Sequence, residues 1–476
     1  MNQLIWLRSD LRVTDNTALS AAMNAGPTIA LYLITPGQWL THDDAACKVD
    51  FRLRNLSALS VRLAELNVPL LIRRAEDWQA VPMLVADLCR EHEIGSVHIN
   101  DEYGVNEQRR DDAVAAALRN TGVSLRRHLD QLLFAPGSVQ TQAGQCFKVF
   151  SQFRKVCHSR LSHSLPNCLP IPTPQARLSI SSDPLPTSIE GFARPTEQLR
   201  SYWPAGEEVA RTRLACFAED DMADYQHRRD LPAEPGTSQL SPYLAAGVIS
   251  PRQCLHAALE ANRGELDSGN PGAVTWINEL LWREFYKHVL VGYPRVSMGR
   301  AFRLETEALP WRNAPDELAA WQQGRTGFPI IDAAMRQLLA TGWMHNRLRM
   351  LVAMFLSKNL LIDWREGERW FMRHLIDGDL AANNGGWQWS ASTGTDSVPY
   401  FRLFNPLSQS AKFDPEGLFL RRWLPELADS DTRDIHSPTK LNDLFKTVDY
   451  PPPIIDLPTS RERALSAFRS LGEART

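Results

Sequence analysis

Over the first ~130 residues, short β-rich runs alternate with amphipathic stretches, and this alternation constrains the fold more than any other feature. The strand candidates are Leu4–Leu7, Thr28–Ile34, Leu70–Arg73, Ser96–Asn100 and Ser124–His128. Helix candidates lie between them, near Asn16–Asn24, Ala45–Leu66, Trp78–His92 and Asn106–Asn120. A strand needs a crossover of a dozen or more residues to pair in parallel with the next, and these spacings supply one each time. The expectation is a Rossmann-like parallel sheet with helices on both faces. No G-x-G-x-x-G follows the first strand, so a nicotinamide is not placed there.

The texture changes twice further on. Pro166, Pro170, Pro172, Pro174, Pro184, Pro186 and Pro195 interrupt Leu165–Pro195, and neither helix nor strand runs through such spacing. From about Gly206 the pattern is helical, with helices expected at Glu207–Asp220, Ser250–Asn262, Val274–Val291, Asp316–Gln323, Ile331–Thr341, Trp343–Leu360 and Trp364–Leu375. The division expected is an α/β domain over residues 1–131, an inter-domain linker over 132–205 and a large all-α domain over 206–476.

Bulk properties exclude several classes. The 476 residues contain no apolar run long enough to span a bilayer, and the N-terminus lacks a signal-peptide pattern, so a cytoplasmic protein is expected. The seven cysteines include no C-x-x-C pair, which argues against a disulfide framework or a zinc site. A net charge of −3 means that any nucleic-acid site must be a local patch. Walker, zincin and nucleophile-elbow signatures are absent.

What remains is aromatic and polar. Ten of the fourteen tryptophans lie between Trp276 and Trp423, where core packing competes with stacking on a flat ligand. In Val274–Val291, Glu279, Trp282, Arg283 and Tyr286 share one helical face, opposite an apolar face of Ile277, Leu281 and Phe285 or His288. Either an exposed ion pair sits beside two rings, or a ring stacks and a carboxyl bonds a polar heterocycle. Asn346 and Met350 share a face, and Arg347 suits a phosphate. In Asp377–Trp389, two Asp flank Gly378, but with no third carboxylate near in sequence no metal is expected. The glycines there allow close backbone approach to a planar ligand. The run Gly236-Thr237-Ser238-Gln239-Leu240-Ser241 offers hydroxyls and backbone N–H groups ahead of a helix, as a phosphate cradle or an ordinary cap.

Taken together these segments closely resemble the photolyase/cryptochrome family, nearest to its bacterial class I cyclobutane pyrimidine dimer photolyases. The resemblance rests on Arg8-Ser9-Asp10-Leu11-Arg12-Val13-Thr14-Asp15-Asn16-Thr17-Ala18-Leu19, on Trp343-Met344-His345-Asn346-Arg347-Leu348-Arg349-Met350, and on the Asp377–Trp389 run. It implies a light-driven carbon–carbon lyase that repairs dimers by electron transfer from excited reduced FAD. By similarity, Tyr225, Thr237, Ser238, Gln239, Leu240, Ser241, Trp276, Arg349, Asp377, Gly378 and Asp379 line the flavin, with Asn383 beside its proton-exchanging ring nitrogen. Gln239 stands where relatives often carry a basic residue. Glu279, Trp282, Trp389, Asn346 and Met350 form the lesion pocket. Relatives that repair (6-4) lesions carry histidines at the last two positions. Trp311, Trp364 and Trp387 match an electron-transfer chain. DNA contacts are implied for Arg229, Glu279, Trp282, Arg283, Tyr286, Asn346, Arg347, Gln409 and Lys412. His42, Asn106 and Glu107 match residues that hold a folate antenna, 5,10-methenyltetrahydrofolate. The expected partner is dimer-containing DNA, with no membrane, no obligate protein partner and a monomeric state. The rival of another class is a signalling cryptochrome; Asn383 and the Glu279/Trp282/Trp389 set argue against it.

Overall fold

The computed structural model describes residues 1–437 and 449–473. Their packing forms two compact units that cut across the sequence segmentation. The first comprises Met1–Ala223, Ser238–Pro294 and Ile376–Asp379; the second comprises Asp224–Thr237, Arg295–Leu375 and the residues from Leu380 on.

The first unit contains a five-stranded sheet of β1 (Asn2–Leu7), β2 (Thr28–Ile34), β3 (Leu70–Arg74), β4 (Ile94–Asn100) and β5 (Ser124–His128). All neighbours pair in parallel, in the order β3-β2-β1-β4-β5. Each expected strand is present. β2 is buried at every position, as a parallel strand covered on both faces must be. Alternate side chains Leu4, Trp6, Ile29, Leu31, Val97 and Ile99 share one core with the helices Val81–Glu91 and Val105–Arg119.

Behind β1, buried charges are paired. Arg12 bonds Asp130 at 2.7 Å, and Arg252 bonds both Asp15 and Asp130 at 2.9 Å. Arg252 belongs to the helix Pro251–Ala261. An isolated charge at this depth would be very unfavourable, so these partners fix each other. They also explain why Ser238–Pro294 packs with the sheet rather than with the later helices.

The segment 165–195 has neither helix nor strand, as its prolines require. It is nevertheless anchored. Leu70 N donates to Ser182 Oγ at 3.0 Å, Ile72 N to Asp183 Oδ2 at 2.8 Å, and Asp183 N to Leu70 O at 2.9 Å. These bonds cover the outer edge of β3, which would otherwise present unpaired backbone groups. The expected linker also contains a helix, Phe150–His163, whose Phe150, Phe153, Cys157 and Leu161 are buried.

The second unit is helical. Trp321, Phe355, Trp364, Phe371 and Trp387 are among its core residues. The helix expected over Trp343–Leu360 starts later, at Asn346, because His345 caps it and accepts from Arg347 N at 3.2 Å. It then widens into a π-helical turn at Phe355–Asn359. The helix expected over Glu207–Asp220 likewise gives way to a π-helical turn after Cys216.

Candidate active site

In the first unit the central element is the helix Pro271–Gly292. Asn270 caps it by accepting from the Gly272 and Ala273 N–H groups, and Pro271 occupies its first turn. Ile277, Leu281, Phe285 and His288 are buried, while Glu279, Trp282, Arg283 and Tyr286 are half-buried. The amphipathic reading therefore holds. Phe150 stacks on Trp282 with ring centroids 3.7 Å apart and 13° between planes, so one indole face is covered. Tyr286 leans on the same indole at 5.6 Å. Arg283 donates from Nη1 to Gln131 O at 2.5 Å, which orients its guanidinium toward backbone. Trp276 is buried against Phe217, 5.4 Å between centroids.

The same unit organises Asp377-Gly378-Asp379. Ser241 Oγ donates to Asp377 at 2.6 Å, and Lys287 Nζ donates to Asp379 at 2.6 Å. Two expected flavin residues, Ser241 and Asp377, thus meet, and a third, Asp379, is paired with Lys287, which sequence reading did not single out. Gln239 adopts φ +49 and accepts from Arg213 at 2.9 Å; Leu240 beside it is buried.

A third group in this unit surrounds His42. Side-chain amides of Gln38 and Asn106 reach His42 Nε2 at 2.8 and 3.1 Å, and Trp78 presents an edge-on contact at 4.9 Å. Burial holds the His42 imidazole below its usual pKa, so it is kept neutral. Glu107 follows Asn106 in the first turn of its helix and folds back on Gly104, where a Cβ would lie 2.0 Å from its carboxylate. Burial pushes the Glu107 carboxyl up.

In the second unit, Asn383 is buried on the helix Leu380–Ala391 and donates from Nδ2 to Glu368 O at 3.0 Å. Its Oδ1 is the end turned away from that carbonyl. Asn384 donates to the Glu368 carboxyl at 2.8 Å, and Gln388 donates to Asn384 Oδ1 at 2.8 Å. Burial pushes Glu368 up to about 7. Trp364 and Trp387 are fully buried, and Trp311 is half-buried against the same core. Trp387 fits because residue 367 is glycine: a Cβ there would lie 2.0 Å from the indole.

Asn346 is exposed and Met350 half-buried on one helix, and Trp389 is half-buried. Arg349 donates to Met344 O at 2.8 Å. Three expected rim cations gather. Arg347 bonds Asp230 at 2.5 Å and covers the Phe413 ring at 4.6 Å; Lys412 lies over that ring at 5.1 Å. Arg229 lies 4.0 Å from Asp230 and over the buried Tyr225 ring at 5.3 Å. Gln409 is half-buried on the adjoining helix, Pro406–Phe413. Arg347 is thus a paired cation rather than a purely solvated one. Asp230 and Phe413 went unnoticed in the sequence because nothing in spacing links residues 230, 347 and 413.

The family model described as DNA photolyase matches residues 3–175, and that for the FAD binding domain of DNA photolyase matches residues 276–470. A deoxyribodipyrimidine photo-lyase of Escherichia coli is 45% identical over 470 residues, covering 98% of each chain. One from Neurospora crassa is 40% identical over 98% of this chain and 81% of its own. Among solved structures, a class III photolyase from Agrobacterium tumefaciens superposes with a TM-score of 0.87 at 33% identity, covering 99% of this chain and 98% of its own. A cryptochrome from Synechocystis reaches 0.85 at 27% identity, covering 98% of this chain and 99% of its own. With both models matched and likeness running the length of the polypeptide, the chain belongs to the DNA photolyase family.

Proposed function

We propose that this chain is a light-driven lyase that splits cyclobutane pyrimidine dimers in DNA with FAD as its cofactor. The observation that carries this reading is the 45% identity, over 98% of both chains, to a protein named deoxyribodipyrimidine photo-lyase. When bound, FAD in its reduced form would supply light-driven one-electron chemistry for opening the cyclobutane ring.

Everything else falls to the protein: binding, orientation and exclusion of water. The donor set suits a flavin dinucleotide. Thr237, Ser238 and Ser241 bring hydroxyls for phosphate and ribityl oxygens, with Tyr225, Gln239, Leu240, Trp276 and Arg349 around them. Asp377 and Asp379, flanking Gly378, accept from a polar ring edge. Trp387 adds a buried Nε1 with no protein acceptor among the described residues. Asn383 places a neutral amide at the flavin. An amide donates no proton as an acid does, which favours a reduced flavin that stays anionic. Trp311, Trp364 and Trp387 would pass an electron inward to reduce oxidised flavin.

For the lesion, Glu279 bonds the extruded dimer, Trp282 and Trp389 stack on it, and Asn346 and Met350 border it. Only one face of Trp282 serves, since Phe150 covers the other. Asn346 and Met350 supply no acid, which suits ring splitting by an electron alone. Flipping the dimer out costs less than flipping a sound pair, because a damaged pair is already weakened. Arg229, Arg347 and Lys412, with Arg283, Tyr286 and Gln409, contact the DNA backbone and its neighbourhood. His42, Asn106 and Glu107 hold a folate antenna within residues 1–131, a linker spans 132–205, and residues 206–476 carry FAD and lesion. The protein acts as a cytoplasmic monomer. No helix of the described residues is long and apolar enough to cross a membrane.

The likeness to a cryptochrome sustains a second reading, light sensing without repair. One experiment separates them. Purified protein with reduced FAD is mixed with dimer-containing DNA and held in blue light or darkness. Repair in light alone is expected; intact dimers after illumination would reject the enzyme.

A further inference from the structure

In the proposed flavin enzyme, the reading on which this inference rests, Asp377 and Asp379 bring two carboxylates to a ring system that must itself become negative. A carboxylate near such a charge raises the free energy of the reduced state, and weak screening at buried sites magnifies the effect. Asp379 does not stand there as a bare carboxylate. Its Oδ2 accepts a 2.6 Å hydrogen bond from Nζ of Lys287. Lys287 projects from the helix Pro271–Gly292, which also carries Trp276, Glu279 and Trp282. Its side chain is only 8% exposed.

A buried ammonium is strongly disfavoured unless it has a partner, so its placement needs a reason. The ammonium is also within electrostatic reach of Glu107 and Glu284, and Asp379 is within reach of Lys48. Glu107 and Glu284 hold their protons more tightly than ordinary carboxyls because burial pushes both upward, which leaves Asp379 as the carboxylate hydrogen-bonded to Lys287.

We propose that Lys287 is a positioning residue of the flavin site: it fixes the Asp379 carboxylate through Nζ and offsets its charge, so that bound FAD is more readily reduced. Removing the ammonium withdraws its share of the charge compensation at Asp379 and disfavours reduction. Removing the Asp379 charge instead leaves a cation and favours reduction. Arginine at position 287 keeps both the charge and a donor.

The test is a potentiometric titration of the purified FAD-loaded protein, followed by flavin absorption. At the wild-type midpoint, Lys287→Met is expected to shift the ratio of reduced to oxidised flavin roughly tenfold toward oxidised. Asp379→Asn should shift it the other way, and Lys287→Arg should restore it. A Lys287→Met protein that retains FAD at an unchanged potential overturns the proposal, as does one that moves in the same direction as Asp379→Asn. If Lys287→Met releases the flavin, Asp379→Asn decides, and an unchanged or lowered potential overturns it. If both release the flavin, Lys287→Arg must hold FAD at the wild-type potential or the proposal fails. A wild-type chain that retains no FAD, or leaves dimers intact in light, rejects the functional reading itself and is seen before any variant is made.

Discussion

In the proposed function, Glu279 is the residue that separates lesion binding from cofactor binding. It is half-buried on the face that carries Trp282 and Tyr286, and Trp276, expected at the flavin, is buried one turn earlier. Glu279→Ala should therefore retain FAD while losing one charge-assisted hydrogen bond to the dimer, a loss of about tenfold or more in light-dependent repair. Flavin absorption of the purified variant and a repair assay check the two halves separately; loss of flavin would place Glu279 in the wrong site. Trp311 separates two electron paths in the same way. Trp311→Phe should block photoreduction of oxidised flavin yet spare repair by protein reduced chemically beforehand, read by flavin bleaching and by dimer repair; equal loss of both would remove Trp311 from the inward path. What residue-level reading missed has one cause. Phe150 against Trp282, Lys287 against Asp379 and Asp230 against Arg347 are partners distant in sequence, and no local spacing signals such contacts.

At the scale of elements, period and punctuation carried most of the information. All five strands lie where β-branched runs between turn residues put them, because buried parallel strands are apolar on both faces. Helix ends were less legible. His345 capping the helix at Asn346 replaces the start expected at Trp343, since a histidine cap has no strong sequence signature. The helix Phe150–His163 lay inside the segment expected to be a linker and was missed, although Phe150, Phe153, Cys157 and Leu161 recur at helical spacing. Of the candidate site, its residue types were legible from motifs, and their hydrogen-bond partners were not. The packing of Trp387 against the helix Trp364–His374 offers a test at this scale. Gly367 lies within that helix, where alanine would ordinarily be favoured by about 1 kcal/mol. Here the added methyl would meet the indole at 2.0 Å. Gly367→Ala is expected to lower stability by roughly 1–3 kcal/mol, as overpacking does. It should also slow flavin photoreduction, because Trp387 must move. A thermal midpoint at or above that of the wild type would show that the indole has room to spare.

For the molecule as a whole, a net charge of −3 supplies no global attraction to DNA, so the buried groups rather than the surface field set its response to pH. Two sets oppose each other. His98, His288 and His345 are held down to about 4 by burial. Their contribution to stability is complete above the ordinary imidazole value of 6.5 and is lost as pH falls toward about 4. Glu284 and Glu368 are pushed up to about 7 from an ordinary 4.5 by burial. Their contribution is complete below 4.5 and is lost as pH rises through about 7. These two carboxyls should therefore lower stability as pH rises from about 4.5 through about 7 and add no further slope above that, while the opposing histidine slope fades as pH passes 6.5. Glu368→Gln isolates this limb, because the amide does not titrate yet can still accept from Asn384. The wild type should lose thermal stability between pH 6 and pH 8.5 by more than the variant does, the difference corresponding to about 1 kcal/mol. Since the Glu368 carbonyl accepts from Asn383, retention of FAD should follow the same limb in the wild type and flatten in the variant. Equal losses in the two proteins would mean that Glu368 is ionised in the folded state at pH 6, and that Asn384 bonds a carboxylate rather than a carboxylic acid.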